Sequence, residues 1–283
     1  MTVIFILCYL PIRSKVRPIR RKSTFSCFYV IQYKRESEVE YMDMIKTIGL
    51  TKKYGKLTAV DKLDLTIEQG TLFALLGVNG AGKTTTIKML TCIANSTQGD
   101  AFVGGYSINK DPEKVKGLIG VSPQETAIAS NLSVRENLEL MCGIFGFSKE
   151  KTASKIRELS EKFDLLSILD KKADKLSGGW KRRVSIAMAL ISEPKILFLD
   201  EPTLGVDVIA RHELWDVIRG LKGRSTIILT THYMEEAEAL SDCIGVMKNG
   251  RLLAVGTCDE LKEMTRTNNF ESAFVSLVKG ESR

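Results

Sequence analysis

"TLFALLGVNGAGKT" (Thr71–Thr84) decides how this chain is read. Its first half, "TLFALLG" (Thr71–Gly77), is an unbroken apolar run closed by glycine, the pattern of a short buried strand. Its second half, "GVNGAGKT" (Gly77–Thr84), fits G-x-x-x-x-G-K-[ST], and the pattern that follows through Lys88, Leu90 and Ala94 predicts a helix. Strand, glycine-rich turn and helix in this order make a cradle for phosphate. The glycines allow the backbone N–H groups of Gly77, Val78, Asn79, Gly80, Ala81 and Gly82 to curl around an anion. The helix N-terminus adds partial positive charge. Lys83 is expected to reach the β- and γ-phosphates of a nucleotide, and Thr84 to offer its hydroxyl to Mg²⁺, with Thr85 next in the helix.

A second apolar run, "KILFLD" (Lys195–Asp200), ends in a carboxylate. In an α/β sheet the C-terminal strand edge is where ligands bind, so Asp200 is placed to hold a Mg²⁺ shell. Glu201 follows, and strand alternation is expected to aim it elsewhere, where a carboxylate orients or deprotonates a water for in-line attack on phosphate. A third run, "STIILTT" (Ser225–Thr231), leads directly into His232, which puts that imidazole at the same edge. His212, between Arg211 and Glu213 on a helical pattern, reads as surface.

Around these runs the chain alternates strands and helices, which predicts a mostly parallel α/β sheet. "IKTIGLTKKYG" and "LTAVDKLDLTIEQG" read as strands ahead of it, and "CIGVMKNGRLLAVG" as a hairpin about Asn249–Gly250. Residues 125–192 change character. Ser133 with Glu136 is a capping-box signature, and "KEKTASKIRELSEKF" and "LSGGWKRRVSIAMALI" read as amphipathic helices, so this segment is expected to be a helical insertion.

Composition narrows the function classes. The formal charge of +7 invites a nucleic-acid reading, but the excess is local. Of 41 basic and 34 acidic residues, eight basic and no acidic ones fall in residues 1–35, which leaves 33 against 34 for the rest. The body has no basic excess to favour a polyanion. Six cysteines form no C-x-x-C pair, and His212 and His232 are the only histidines, so a zinc cage is not expected. No apolar run approaches the roughly 20 residues needed to cross a bilayer. Residues 1–43 are expected to be an extension ahead of the domain, either unstructured or upstream of a true start near Met42 or Met44. A transit peptide is the alternative.

Five motifs in one order, "GVNGAGKT", "SPQ", "LSGGW", "ILFLDEPT" and "TTH", resemble the ATPase domain of ABC transporters over about residues 45–283. The resemblance implies a RecA-like P-loop NTPase core with a mostly parallel sheet, an N-terminal antiparallel β-subdomain and a helical subdomain. It implies a domain over 44–283, with a helical part at about 125–192 and a C-terminal tail at about 258–283. It implies ATP hydrolysis with Mg²⁺, two subunits closing head to tail around two nucleotides, and a separate integral-membrane permease. Tyr54 matches the aromatic that stacks on adenine. Gln124 matches the glutamine that senses Mg²⁺ and the attacking water. Ser177, Gly178 and Gly179 match the signature that contacts ATP held by the opposite subunit. Asp207 matches the loop that crosses the dimer interface, Glu201 the base, and His232 the switch histidine at the γ-phosphate. The implied location is the cytoplasmic face of the cell membrane, through the permease.

Spacing and tail refine the resemblance. Gln124 and Leu176 lie 52 residues apart, too close for the long coiled coils of chromosome-maintenance ATPases, and there is one such domain rather than two. "KLSGGWKRRVSIAMALISEPKILFLDEPTLGVDV" and the end "NNFESAFVSLVKG" resemble ABC-2-type, daunorubicin-resistance-like multidrug exporters. A soluble ABC ATPase acting on nucleic acid or ribosomes is the rival. Three residues depart from the family pattern: Val78 and Val208 where proline is common, and Trp180 where glutamine is usual. Whether Trp180 packs on a partner's nucleotide or on its own helical subdomain stays open at this level.

Overall fold

The computed structural model describes residues 43–280, so the expected extension lies outside the described residues apart from Asp43, which opens the first strand. Two long strands, β1 (Asp43–Tyr54) and β2 (Leu57–Glu68), come first and pair antiparallel. The central strand β3 (Leu72–Leu76) runs into the glycine turn and α1 (Lys83–Leu90). Strands β4 (Gln98–Val103) and β5 (Tyr106–Ser107) complete a four-stranded antiparallel sheet of order β2-β1-β4-β5. After α2 (Pro112–Lys116) and β6 (Ile119–Ser122) come α3 (Val134–Ile144), α4 (Lys149–Lys162) and α5 (Gly178–Ala189). The chain then alternates β7 (Ile196–Asp200), α6 (Val208–Arg219), β8 (Thr226–Thr231) and α7 (Met234–Leu240). It ends with the hairpin β9 (Cys243–Lys248) and β10 (Arg251–Gly256), then α8 (Cys258–Thr265) and α9 (Phe270–Lys279).

The second sheet has the order β10-β9-β3-β8-β7-β6, parallel throughout except for β10. Its central strands are apolar without interruption because both faces are covered. Alternate residues divide between two cores. Leu72, Ala74, Leu76, Leu197, Leu199, Ile227 and Leu229 face a core shared with the helices. Phe73, Leu75, Ile196, Phe198 and Ile228 face a core shared with α1 and the antiparallel sheet. Each face is thereby sealed, and the strand ends at Leu76, Asp200 and Thr231 meet along one edge, since Leu76 pairs with Thr231 and Asp200 with Thr230.

Two elements differ from their sequence patterns. Helix α1 stops at Leu90 instead of continuing to Ala94. Thr91 turns its hydroxyl back onto the Ile87 carbonyl at 2.8 Å, and Cys92 takes a left-handed φ of 57°, which ends the helix. Helix α5 is not amphipathic: every residue from Arg182 to Ala189 is buried, so it is a central helix of the helical layer. The capping box on α3 forms as expected, with Glu136 N donating to Ser133 Oγ at 3.1 Å and Ser133 N to Glu136 Oε2 at 2.7 Å.

Candidate active site

The glycine turn is shaped by what crowds it. A Cβ at Gly77 would lie 2.4 Å from the Met247 carbonyl oxygen on β9. Gly82, the N-cap of α1, has φ 106° and a Cβ there would lie 2.5 Å from the Ala59 oxygen. Neither position admits a side chain, so the turn lies flat against β9 and β2 and its amides stay open to a ligand. Lys83 is folded back under the turn. Its Nζ donates to the Gly77 carbonyl at 2.7 Å and sits 3.2 Å from Glu201 Oε1, with both side chains buried.

Asp200 and Glu201 part ways, as expected, though not by simple alternation. Asp200 ends β7, while Glu201 has left the strand with φ 50°, a left-handed conformation uncommon for glutamate. Its amide donates to the Thr230 Oγ1 and to the Thr230 carbonyl, each at 3.1 Å. Two carboxylates therefore serve two purposes. Asp200 Oδ1 accepts from Thr84 Oγ1 at 3.2 Å and from Thr230 Oγ1 at 2.5 Å. Glu201 bridges Lys83 through Oε1 and His232 Nδ1 through Oε2, the latter at 2.7 Å. Thr84 and Asp200 offer adjacent oxygens, a donor set that would suit a hard cation.

One cleft of about 740 Å³ collects the predicted residues Tyr54, Asn79, Gly80, Ala81, Gly82, Lys83, Thr84, Thr85, Gln124, Glu201 and His232. That volume falls within the range of small-molecule sites. Gly77 and Val78 form the back of the turn, where their carbonyls face Lys83 Nζ. Tyr54 is 49% exposed, with Lys52 Nζ 5.0 Å from its ring centroid. Ser177, Gly178, Gly179 and Asp207 do not line this cleft. Ser177 caps α5 through its backbone alone, and its side chain makes no capping bond. Asp207 caps α6, its Oδ1 accepting from Ala210 N at 3.0 Å. Gly179 packs closely on α6, where a Cβ would lie 3.1 Å from Ala210 Cβ. His212 is exposed, as read, and its ring meets Trp215 edge-on at 4.8 Å.

Several contributors were not among the predicted site residues. Thr230 joins the two carboxylate positions and is signalled only by its place in "TTH". Arg182, buried on α5, donates to the main-chain carbonyls of Pro123 and Gln124. Glu236 is fully buried one turn beyond His232, accepting from Thr203 Oγ1 at 2.8 Å and Trp215 Nε1 at 3.2 Å. Its burial pushes the carboxyl pKa up, against those hydrogen bonds, and the Glu201 charge pushes in the same direction. Trp180 is half-buried against the helical core with Arg183 stacked on it, the guanidinium carbon 4.8 Å from the ring centroid. It packs on its own subdomain.

Comparison with known proteins identifies the family. The family model described as "ABC transporter" matches residues 60–204. The chain is 43% identical over 247 residues to ATP-binding cassette sub-family A member 2 of Rattus norvegicus, covering 85% of this chain and 10% of that protein. It is thus a small part of that relative's length. It is 41% identical over 218 residues to the daunorubicin resistance ATP-binding protein DrrA3 of Streptomyces coeruleorubidus, covering 77% of this chain and 69% of that one. Among solved structures, the dimeric ATP-binding cassette MJ0796 in a post-hydrolysis state with ADP and Pi superposes with a TM-score of 0.68 at 26% identity, over 76% of this chain and 98% of that one. With the phosphate cradle, the paired carboxylates and the strand-end histidine all in place, the chain belongs to the ABC transporter family.

Proposed function

We propose that this chain is the ATP-binding and ATP-hydrolysing subunit of an ABC transporter, powering export through a separate membrane permease. The observation that carries the proposal is the carboxylate of Glu201, held between Lys83 and His232 at the mouth of the phosphate cradle. An ion pair at this depth costs desolvation, so it is retained for what it can release. When the γ-phosphate enters, Lys83 moves from Gly77 and Glu201 onto the phosphate oxygens. Glu201 is then free to take the proton of an attacking water. His232, bonded through Nδ1, keeps the carboxylate turned toward that water and faces the transferred phosphoryl group. Gln124, on the cleft wall, orients the same water. Thr84 and Asp200, with Gln124, would hold Mg²⁺, which would supply neutralisation of the charge on the phosphate groups. Tyr54 supplies the adenine platform, since a base stacks on an aromatic for about 1–3 kcal/mol.

Ser177, Gly178 and Gly179 are assigned to ATP held by a second subunit, with Asp207 at the interface between the copies. Support comes from geometry: Ser177 and Gly178 are exposed at a helix N-terminus, away from their own cleft, and the Ser177 hydroxyl is not spent on capping. The dimeric state of the MJ0796 relative points the same way. The permease is assigned to the surface near Gln124 and α3. Leu140, Ile144 and Phe145 there are 50%, 66% and 46% exposed, beside a groove lined by Ala127, Met141 and Met188. Among the described residues no helix is long and apolar enough to cross a membrane. Export rather than import rests on the likeness to a drug-resistance protein. The setting proposed for the chain is the cytoplasmic face of the membrane, held there through the permease.

Glu201→Gln tests the chemistry. It is expected to abolish ATP turnover while leaving ATP binding intact, because Tyr54, Lys83 and the cradle are untouched. Normal turnover in that variant would remove Glu201 as the base. Pull-down from detergent-solubilised membranes tests the setting: an integral-membrane partner is expected, whereas ribosomal or DNA partners would favour the rival ATPase.

A further inference from the structure

We propose that Arg182 is a positioning residue for Gln124, tying the glutamine of one ATP site to the helix whose N-terminus serves the other. The inference rests on the ATPase reading above and deepens it. Arg182 is only 6% exposed on α5. Its Nη1 donates to the Pro123 carbonyl at 2.8 Å and its Nη2 to the Gln124 carbonyl. Both acceptors are consecutive main-chain oxygens in the irregular stretch between β6 and α3. A guanidinium presents two N–H groups in a rigid fork, so two consecutive carbonyls fix the orientation of the peptide they flank. That peptide carries Gln124 into the cleft.

A second contact ties the root of the loop to the same helix. Ser122 Oγ, at the end of β6, lies 2.8 Å from Ser185 Oγ, and both are buried. Arg182 is four residues after Gly178, about 6 Å along the helix axis. A shift of the α5 N-terminus therefore reaches Gln124 through one turn of helix and two hydrogen bonds. An apolar side chain would pack here without the cost of burying a cation, so the guanidinium is there for its donors. Burial holds its pKa below the ordinary arginine value, and the nearby carboxyls of Asp200, Glu201 and Glu236 oppose that only in part.

The test is a double-mutant cycle on ATPase activity of the full chain. Arg182→Lys keeps a cation beside Asp200 and Glu201 but loses the fork. It is expected to lower kcat about tenfold, the loss of a charged hydrogen bond, while KM for ATP changes less than about twofold. Gln124→Ala removes the side chain being positioned. In that background Arg182→Lys is expected to cost less than about twofold more. If the two losses multiply, or if Arg182→Lys has the wild-type kcat, Arg182 does not act through Gln124. If Gln124→Ala itself turns over ATP normally, the reading of the site fails and the proposal with it. Thermal melting checks folding. Should Arg182→Lys melt early, Arg182→Gln, whose amide serves one carbonyl, is read in the same cycle.

Discussion

At the scale of single residues, the site is a set of charges whose partners determine their roles. Lys83 and Thr84 were legible from the glycine spacing, and Asp200 and Glu201 from the end of an apolar run, because that chemistry needs those residues next to each other in sequence. Arg182, Thr230 and Glu236 were not legible as site residues, since their partners are main-chain atoms or residues distant in sequence. Tyr54 was assigned by resemblance, and its exposed ring on the cleft wall yields a direct test. Tyr54→Ala should weaken ATP binding by about 1–3 kcal/mol, roughly 5- to 150-fold, in a calorimetric titration. Glu236 offers a test in pH. Its buried carboxyl has a pKa raised above the ordinary 4.5, so the folded state binds its proton more tightly than the unfolded state does. Stability from this group is present below that ordinary value and is lost as pH rises through the raised one. Glu236→Gln, neutral at every pH, should therefore melt progressively higher relative to the wild type between pH 5 and pH 8. A constant difference across those pH values would show that the carboxyl is already ionised in the fold.

At the scale of elements, local signals served well where they were local. The capping box at Ser133 and Glu136 formed both of its bonds, and the hairpin turned at Asn249–Gly250 with φ of 48° and 79°. The pattern failed for α5, whose polar residues looked like a solvent face. Arg182 and Arg183 are in fact buried, one on loop carbonyls and the other on Glu213 at 2.5 Å. Trp180 packs on this element, with Arg183 over its ring. Removing it should cost the helical layer about 1–2 kcal/mol, from lost apolar burial and the Arg183 stack. Trp180→Gln is accordingly expected to lower the melting temperature yet leave ATP affinity and dimer formation unchanged. A loss of either would instead put the indole at the interface between copies.

At the scale of the whole molecule, the doubly buried sheet sets everything else. Because both faces are sealed by separate cores, the strand ends carrying Gly77, Asp200 and His232 are held along one edge, where a nucleotide can meet all three. The α/β class was legible from the alternation of elements. The order β10-β9-β3-β8-β7-β6 was not, since its centre is decided by β3 pairing with β8 and β9, strands more than a hundred residues away in sequence. The described chain also leaves its signature unused by its own cleft, which is why the account requires a second copy. The direct measurement is the mass of the Glu201→Gln chain in solution by light scattering, with and without ATP. The account predicts a shift from one chain to two when ATP saturates the cleft, reversed when ATP is removed. A mass that stays at one chain while ATP is demonstrably bound would contradict it.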